Sequence, residues 1–213
     1  MSITSILRDP AVTPWPLTRE QFDRLFELGE LEGQHVELLE GALVEMTPQG
    51  EEHSDVVSLL NTEIAGTLHL RYGRRYLVRP QVPLAASPLS EPDPDLAIIE
   101  RDARRPGHGH PSSALLVIEV AFSSQRVDLV HKSRIYAAAR VPEYWVVDLG
   151  QREIVVHRGP VGSPRPSPDA PVTRIETHAG YTSVERVGFD VPLDVLGVPI
   201  RLAELIEETV GDA

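Results

Sequence analysis

The chain has 213 residues, of which 32 are acidic and 20 basic, for a formal net charge of −12, and it has no cysteine. Its length suits one domain with at most a small appendage, and an apolar content of 41% is enough for a real core. The absence of cysteine excludes disulfides, thiol nucleophiles and thiolate-bound metals, and the acidic balance opposes indiscriminate binding to nucleic acid or anionic membranes.

Residues 1–16 read as a proline-interrupted arm without the cationic start and apolar stretch of a secretory signal. Aliphatic runs such as Ala114 to Ile118 are too short to span a membrane, so a cytoplasmic location is the expectation. Thr18 to Leu28 predicts a helix, with Thr18 and Gln21 as a capping box and Phe22, Leu25, Phe26 and Leu28 on its apolar side. His35–Leu39 and Ala42–Met46, joined by Glu40-Gly41, predict a hairpin that Thr47-Pro48-Gln49-Gly50 breaks. From Glu52 to Arg71 the period changes: His53, Val56, Val57, Leu60, Ile64 and Leu68 form one helical stripe.

Tyr76 to Pro83 and Asp95 to Ile99 are strand-like, separated by a Pro/Ser loop, and Arg101 to Ser113 is a polar loop. Ala114 to Phe122 shows no alternation, which predicts a central strand buried on both faces. A helix is expected over Arg126 to Arg140, then a second hairpin from Tyr144–Asp148 and Glu153–His157. Five prolines between Pro160 and Pro171 predict an extended surface excursion. Val172–Thr177 and Tyr181–Val187 are strand-like, and Pro199 to Glu208 predicts a closing helix. There is no internal repeat and no domain boundary, so the layering is α/β or α+β.

Glu119 is the first candidate for chemistry, because an ionised carboxylate inside an aliphatic strand costs several kcal/mol (on the order of 3 or more) unless it is paired or bound to a metal. A strand-end glutamate that reaches solvent, or pairs with an arginine, is the bland alternative. Asp95 opens another apolar strand, and two carboxylates on neighbouring strands are the minimum set for a hard cation such as Mg²⁺, with Asp93 an alternative ligand. Of the 20 basic residues 19 are arginine, and the one lysine, Lys132, lies four residues after Asp128, with Ile135 and Tyr136 near the same side. A compact ammonium can orient water or neutralise phosphate, although a surface ion pair is the bland alternative.

His53 reads as a buried or rim histidine rather than a metal ligand, and His108-Gly109-His110 has an H-x-H pattern without a third ligand nearby. Arg71, Arg74, Arg75 and Arg79, and then Arg101, Arg104 and Arg105, form basic clusters that could contact a phosphate backbone or only balance charge. Tyr144-Trp145 reads as core.

Four stretches together resemble the Uma2 family of restriction-endonuclease-like proteins, within the PD-(D/E)XK nuclease superfamily. They are Val36 to Gly41 with His53; Pro94-Asp95-Leu96; Glu119-Val120 with Ser123-Ser124, Asp128 and Lys132; and Tyr136 with Val141 to Asp148. The resemblance runs from about Val36 to His157, and it implies a central mixed β-sheet flanked by helices and a metal-dependent endonuclease acting on DNA, within a single domain expected over residues 17–213. It would place Mg²⁺, or Mn²⁺ as a substitute, on Asp95, Glu119 and the backbone carbonyl of Val120. Lys132 would take the role of the superfamily lysine, Glu37 that of an auxiliary carboxylate, and His53 the pocket rim, with Asp128 beside Lys132. Superfamily members often dimerise, which makes a homodimer an expectation.

Two departures stand out. The superfamily lysine two residues after the glutamate is here Ala121, and the glycine usual before Val141 is Arg140. A catalytically inert nucleic-acid-binding or regulatory module on the same fold, and a metal-dependent hydrolase of small phosphate esters, are the competing readings.

Overall fold

Thr18 caps the first helix of the computed structural model, α1 (Arg19–Glu27): its hydroxyl accepts from the Gln21 N–H at 3.3 Å, and the Gln21 side chain accepts from the Thr18 N–H at 2.9 Å. The structure describes residues 14–46, 49–103, 109–122, 127–162 and 179–206. After α1, β1 (Val36–Leu39) and β2 (Ala42–Glu45) pair antiparallel through Glu40 and Gly41, at φ 51° and 85°, the left-handed values a tight two-residue hairpin requires. Gly41 is also a place where a side chain would not fit, since a Cβ there would come within 2.5 Å of Pro16 Cβ. This hairpin stands outside the main sheet. The Gly41 N–H donates to the Leu89 carbonyl and the Glu91 N–H to that of Leu38, both at 2.7 Å, which docks β1 onto the loop that leads to Asp95.

The stripe that runs from His53 to Leu68 is buried along α2 (Glu51–Tyr72) as its spacing requires. The central sheet then follows in the order β3 (Tyr76–Pro80), β4 (Leu96–Glu100), β5 (Leu116–Ala121), β6 (Glu143–Asp148), β7 (Glu153–Val161) and β8 (Gly180–Gly188). Among these described strands only β5 and β6 run parallel, so the sheet is mixed. A parallel pair needs a long crossover, and it is supplied by a π-helical segment (Val127–Lys132) that passes directly into α3 (Ser133–Ala138).

Every residue of β5 is buried. Because side chains alternate along a strand, Ile118 and Val120 pack with Leu60 and Ile64 of α2. Val117 and Ala121 pack with Ile135 and Tyr136 of α3 on the opposite face. Each such fully buried aliphatic side chain contributes about 1.5–3 kcal/mol. Glu119 shares the parity of Val117 and Ala121 and therefore faces the α3 side.

Several expectations shift. The strand after Tyr76 ends at Pro80, where Gln81 turns to φ 47°. The expected helix over Arg126–Arg140 is, within the described residues, a π-helical turn followed by six α-helical residues. It closes in a left-handed turn at Arg140, φ 62°, where the Val141 N–H bonds the Tyr136 carbonyl at 3.0 Å and the Arg140 N–H bonds that of Ala137 at 3.0 Å. The glycine conformation is thus kept by an arginine, whose guanidinium donates to the carbonyls of Pro160 and Gly162.

The closing helix starts later than expected, and residues 207 and 208 lie outside the described residues. Pro199–Ile200 (β10) pairs with Leu193–Asp194 (β9) across a turn in which Leu196 and Gly197 have positive φ. The helix proper, α4, is Ala203–Ile206, because Ile200 extends into the core beside α2 instead of starting a turn. Most of the residue 1–16 arm, the 160–171 excursion beyond residue 162, the strand expected at 172–177, Arg104, Arg105 and His108 lie outside the described residues. Among the described residues no helix is long and apolar enough to cross a membrane.

Candidate active site

The β4–β5 ladder ends at Leu96 opposite Ile118, so Asp95 and Glu119 face one another one step beyond its last rung. From there side chains take over the backbone bonding. The Asp95 N–H donates to Glu119 Oε2 at 3.3 Å, and the Val120 N–H donates to Asp95 Oδ2 at 2.8 Å. Asp95 is joined from α2 by His53 Nε2, 3.1 Å from Oδ2, and from the preceding loop by Gln49, whose amide donates to Oδ1 at 3.2 Å. An ionised carboxylate only accepts, so His53 Nε2 is the donor of this bond, and buried Nδ1 has no hydrogen-bond partner among the described residues.

Lys132 reaches the same place from the end of the π-helical segment. Its ammonium lies 3.0 Å from Glu37 Oε1, 3.0 Å from Glu119 Oε1 and 3.7 Å from Asp128 Oδ1, with its side chain only 2% exposed. Tyr136, one turn further along, donates its hydroxyl to Glu119 Oε1 at 2.7 Å. Glu37 arrives on β1, takes the Asp93 N–H on Oε1 at 3.1 Å, and leaves Oε2 buried with no hydrogen-bond partner among the described residues.

Electrostatics follow from burial and crowding. Burial pushes the Glu119 carboxyl well above the usual range; Lys132 pulls it down, while Asp95, Asp128 and Glu37 add to the rise. Glu37 is raised for the same first reason, against the pull of Lys132. Burial works against the Lys132 charge, yet Glu119, Glu37 and Asp128 overcome it and hold the ammonium protonated well above its ordinary value. Burial, then Glu119, keeps the Tyr136 phenol protonated as a donor. Asp93 is pushed up to about 6 by burial and by Glu37.

Each of the two central carboxylates has one saturated oxygen and one with a lone pair to spare. Among the described residues, Asp95 Oδ2 and Glu119 Oε1 each accept two bonds, whereas Asp95 Oδ1 and Glu119 Oε2 each accept one. Two hard oxygen donors on adjacent strands suit Mg²⁺, which is commonly held by one or two carboxylates and keeps several waters. Among the described residues no three carboxylate or imidazole side chains are grouped to hold a metal ion, so the protein's side-chain share of such a shell would be this pair.

A family model described as "Uma2: Putative restriction endonuclease" matches residues 19–181. The chain belongs to the Uma2 family. This Uma2 chain is also similar to a crystal structure described as a putative nuclease belonging to DUF820 from Anabaena variabilis. The TM-score is 0.64 at 16% identity, over 92% of this chain and 100% of the other. That likeness gives the fold, a restriction-endonuclease-like mixed sheet flanked by helices. The type IIG restriction endonuclease BpuSI matches at a TM-score of 0.35 and 16% identity, over 63% of this chain and 14% of that one, a score too low to carry an argument. No curated protein matches the Uma2 chain.

The structure therefore brings Glu37, Asp95, Glu119, Lys132, His53 and Asp128 to one place, with Val120 contributing its N–H to Asp95. Asp93 lies at the edge and contributes its backbone N–H to Glu37. His110 is elsewhere, 3.6 Å from Glu91. Arg75 pairs with Glu100, and Arg101 donates to the Arg74 carbonyl. Tyr144 and Trp145 are core. Sequence reasoning passed over Gln49, which carries no motif, and the hydroxyl of Tyr136, whose one signal was its place four residues after Lys132.

Proposed function

We propose that this Uma2 chain is a divalent-metal-dependent endonuclease that hydrolyses phosphodiester bonds in DNA. The observation that supports it best is the pairing of Asp95 with Glu119 just past the end of the β4–β5 ladder, each with one unsaturated oxygen, and with Lys132 bonded to Glu119. Asp95 Oδ1, Glu119 Oε2 and the Val120 carbonyl would hold Mg²⁺ or Mn²⁺. Bound there, the cation would act as a Lewis acid on phosphate oxygens.

The chain's own groups have separate tasks. Lys132 keeps Glu119 in place and offsets the charge of a phosphodiester brought against three carboxylates. Its ammonium, held between Glu119, Glu37 and Asp128, supplies the positive charge that a phosphate oxygen would meet. Glu37 Oε2, buried and unpartnered among the described residues, would accept the proton of the attacking water. His53 and the Val120 N–H hold Asp95 from behind. Attack on phosphorus then breaks one P–O bond, and the leaving oxygen takes a proton from solvent. Cutting both strands of a duplex calls for two such sites, so a homodimer is part of the proposal.

The net charge of −12 favours weak or narrowly selective DNA binding over tight non-specific binding. Nicking of supercoiled plasmid in Mg²⁺, set against hydrolysis of bis(p-nitrophenyl) phosphate, tests the reading. Plasmid cleavage abolished by EDTA supports it. Plasmid bound but left intact points to an inert module, and cleavage of the small ester alone points to a phosphate-ester hydrolase.

A further inference from the structure

The terminal torsion of a glutamate side chain is broad and roughly two-fold, so nothing intrinsic to Glu119 decides which oxygen faces Asp95. Two groups bond Glu119 Oε1: Lys132 at 3.0 Å and the Tyr136 hydroxyl at 2.7 Å. They are not equivalent as orienting groups. Lys132 ends a flexible four-carbon stem, and its ammonium is divided among Glu119, Glu37 and Asp128, so it attracts either oxygen of the carboxylate.

Tyr136 is rigid by comparison. It is fully buried, and its ring centroid lies 4.9 Å from that of Tyr144. Tyr144 is fully buried as well, and the packing of its ring, which does not depend on its own hydroxyl bond to the Asp128 carbonyl at 3.1 Å, holds the Tyr136 ring in place. The phenol oxygen therefore has a fixed position, and its short bond selects one carboxylate oxygen. Among the described residues the other, Oε2, holds only the 3.3 Å bond from the Asp95 N–H.

We infer that Tyr136 is a positioning residue of the site: its hydroxyl saturates Glu119 Oε1 and thereby presents Oε2, beside Asp95, to a divalent cation. The inference rests on the reading that Asp95 and Glu119 hold the metal. It adds that cation affinity depends on a hydroxyl that never touches the cation. Outer-shell partners of this kind commonly change metal affinity by about 10–100-fold.

The test is calorimetric titration of Mn²⁺ alone into the full chain, for the wild type, Tyr136→Phe, Tyr144→Phe and Asp95→Asn, with folding followed by circular dichroism. Tyr144→Phe is the matched control, because it also deletes one buried hydroxyl from the same aromatic pair, but one bonded to a backbone carbonyl. The expected result is Mn²⁺ affinity about tenfold or more weaker in Tyr136→Phe, unchanged in Tyr144→Phe and absent in Asp95→Asn. Wild-type affinity in Tyr136→Phe, with binding lost in Asp95→Asn, overturns the inference and leaves the metal-site reading intact. Equal losses in the two tyrosine variants, or a Tyr136→Phe chain that no longer folds, make the hydroxyl structural and overturn it as well. A wild type that takes up no Mn²⁺ removes the metal-site reading and the inference together.

Discussion

Glu119 and Lys132 form an ion pair at 3.0 Å in which the side chains are 4% and 2% exposed, and Glu37 and Asp128 share the same ammonium. A buried pair gains little over a well-packed apolar one, but removing one partner leaves uncompensated charge. Lys132→Met is therefore expected to destabilise the chain by about 3–5 kcal/mol at pH 8. The loss shrinks toward pH 5, because burial already pushes the Glu37 and Glu119 carboxyls upward and protons can replace the missing cation. Urea denaturation at the two pH values measures this; an equal loss at both would contradict it.

How much of this was legible beforehand differs from residue to residue. Glu119 announced itself because a charge in an unbroken aliphatic strand has few explanations, and Lys132 because it stands alone among arginines. The capping box of Thr18 and Gln21 is local chemistry and needed no tertiary context. Spacing placed Tyr136 near the side of the helix that carries Lys132, but only the third dimension aims its hydroxyl at Glu119. The π-helical turn at Val127–Lys132 leaves no periodic mark over six residues. The β9–β10 pair is held by the docking of Ile200 in the core rather than by its own two-residue strands.

Arg140 carries a second prediction. Its φ of 62° disfavours any side chain by roughly 1–2 kcal/mol, a cost offset by hydrogen bonds to the Pro160 and Gly162 carbonyls. Arg140→Ala keeps the strain and loses both bonds, whereas Arg140→Gly loses the bonds and relieves the strain. Thermal unfolding should therefore rank Arg140→Gly above Arg140→Ala by about 1 kcal/mol. The reverse order would contradict the left-handed turn.

Glu91 sets a pH dependence away from the site. Burial first, and then Asp23, pushes its carboxyl from 4.5 up to about 7, although Arg19 pulls it down. The folded chain then keeps a proton that the unfolded chain releases. Stability from this group is complete below about pH 4.5 and is lost as the pH rises through about 7. Glu91→Gln should flatten that slope and gain on the order of 1–2 kcal/mol at pH 8, after discounting for solvent screening. Chemical denaturation across pH 4 to 8 reads it out, and an unchanged slope would contradict the account.

At the start of α1, Thr18→Ala removes the acceptor of the Gln21 N–H and is expected to cost about 1 kcal/mol. Thr18→Ser, which keeps the oxygen, should recover most of that in the same thermal melt.

The central claim is that Asp95 serves the chemistry rather than the fold. Asp95→Asn retains an amide oxygen for the Val120 N–H, so the fold is expected to persist, while the charged oxygen pair with Glu119 is lost. The decisive measurement is Mg²⁺-dependent nicking of supercoiled plasmid by the wild type and by folded Asp95→Asn at equal concentration. The account predicts cleavage by the wild type and a loss of at least about 100-fold in the variant; cleavage by Asp95→Asn at the wild-type rate would contradict it.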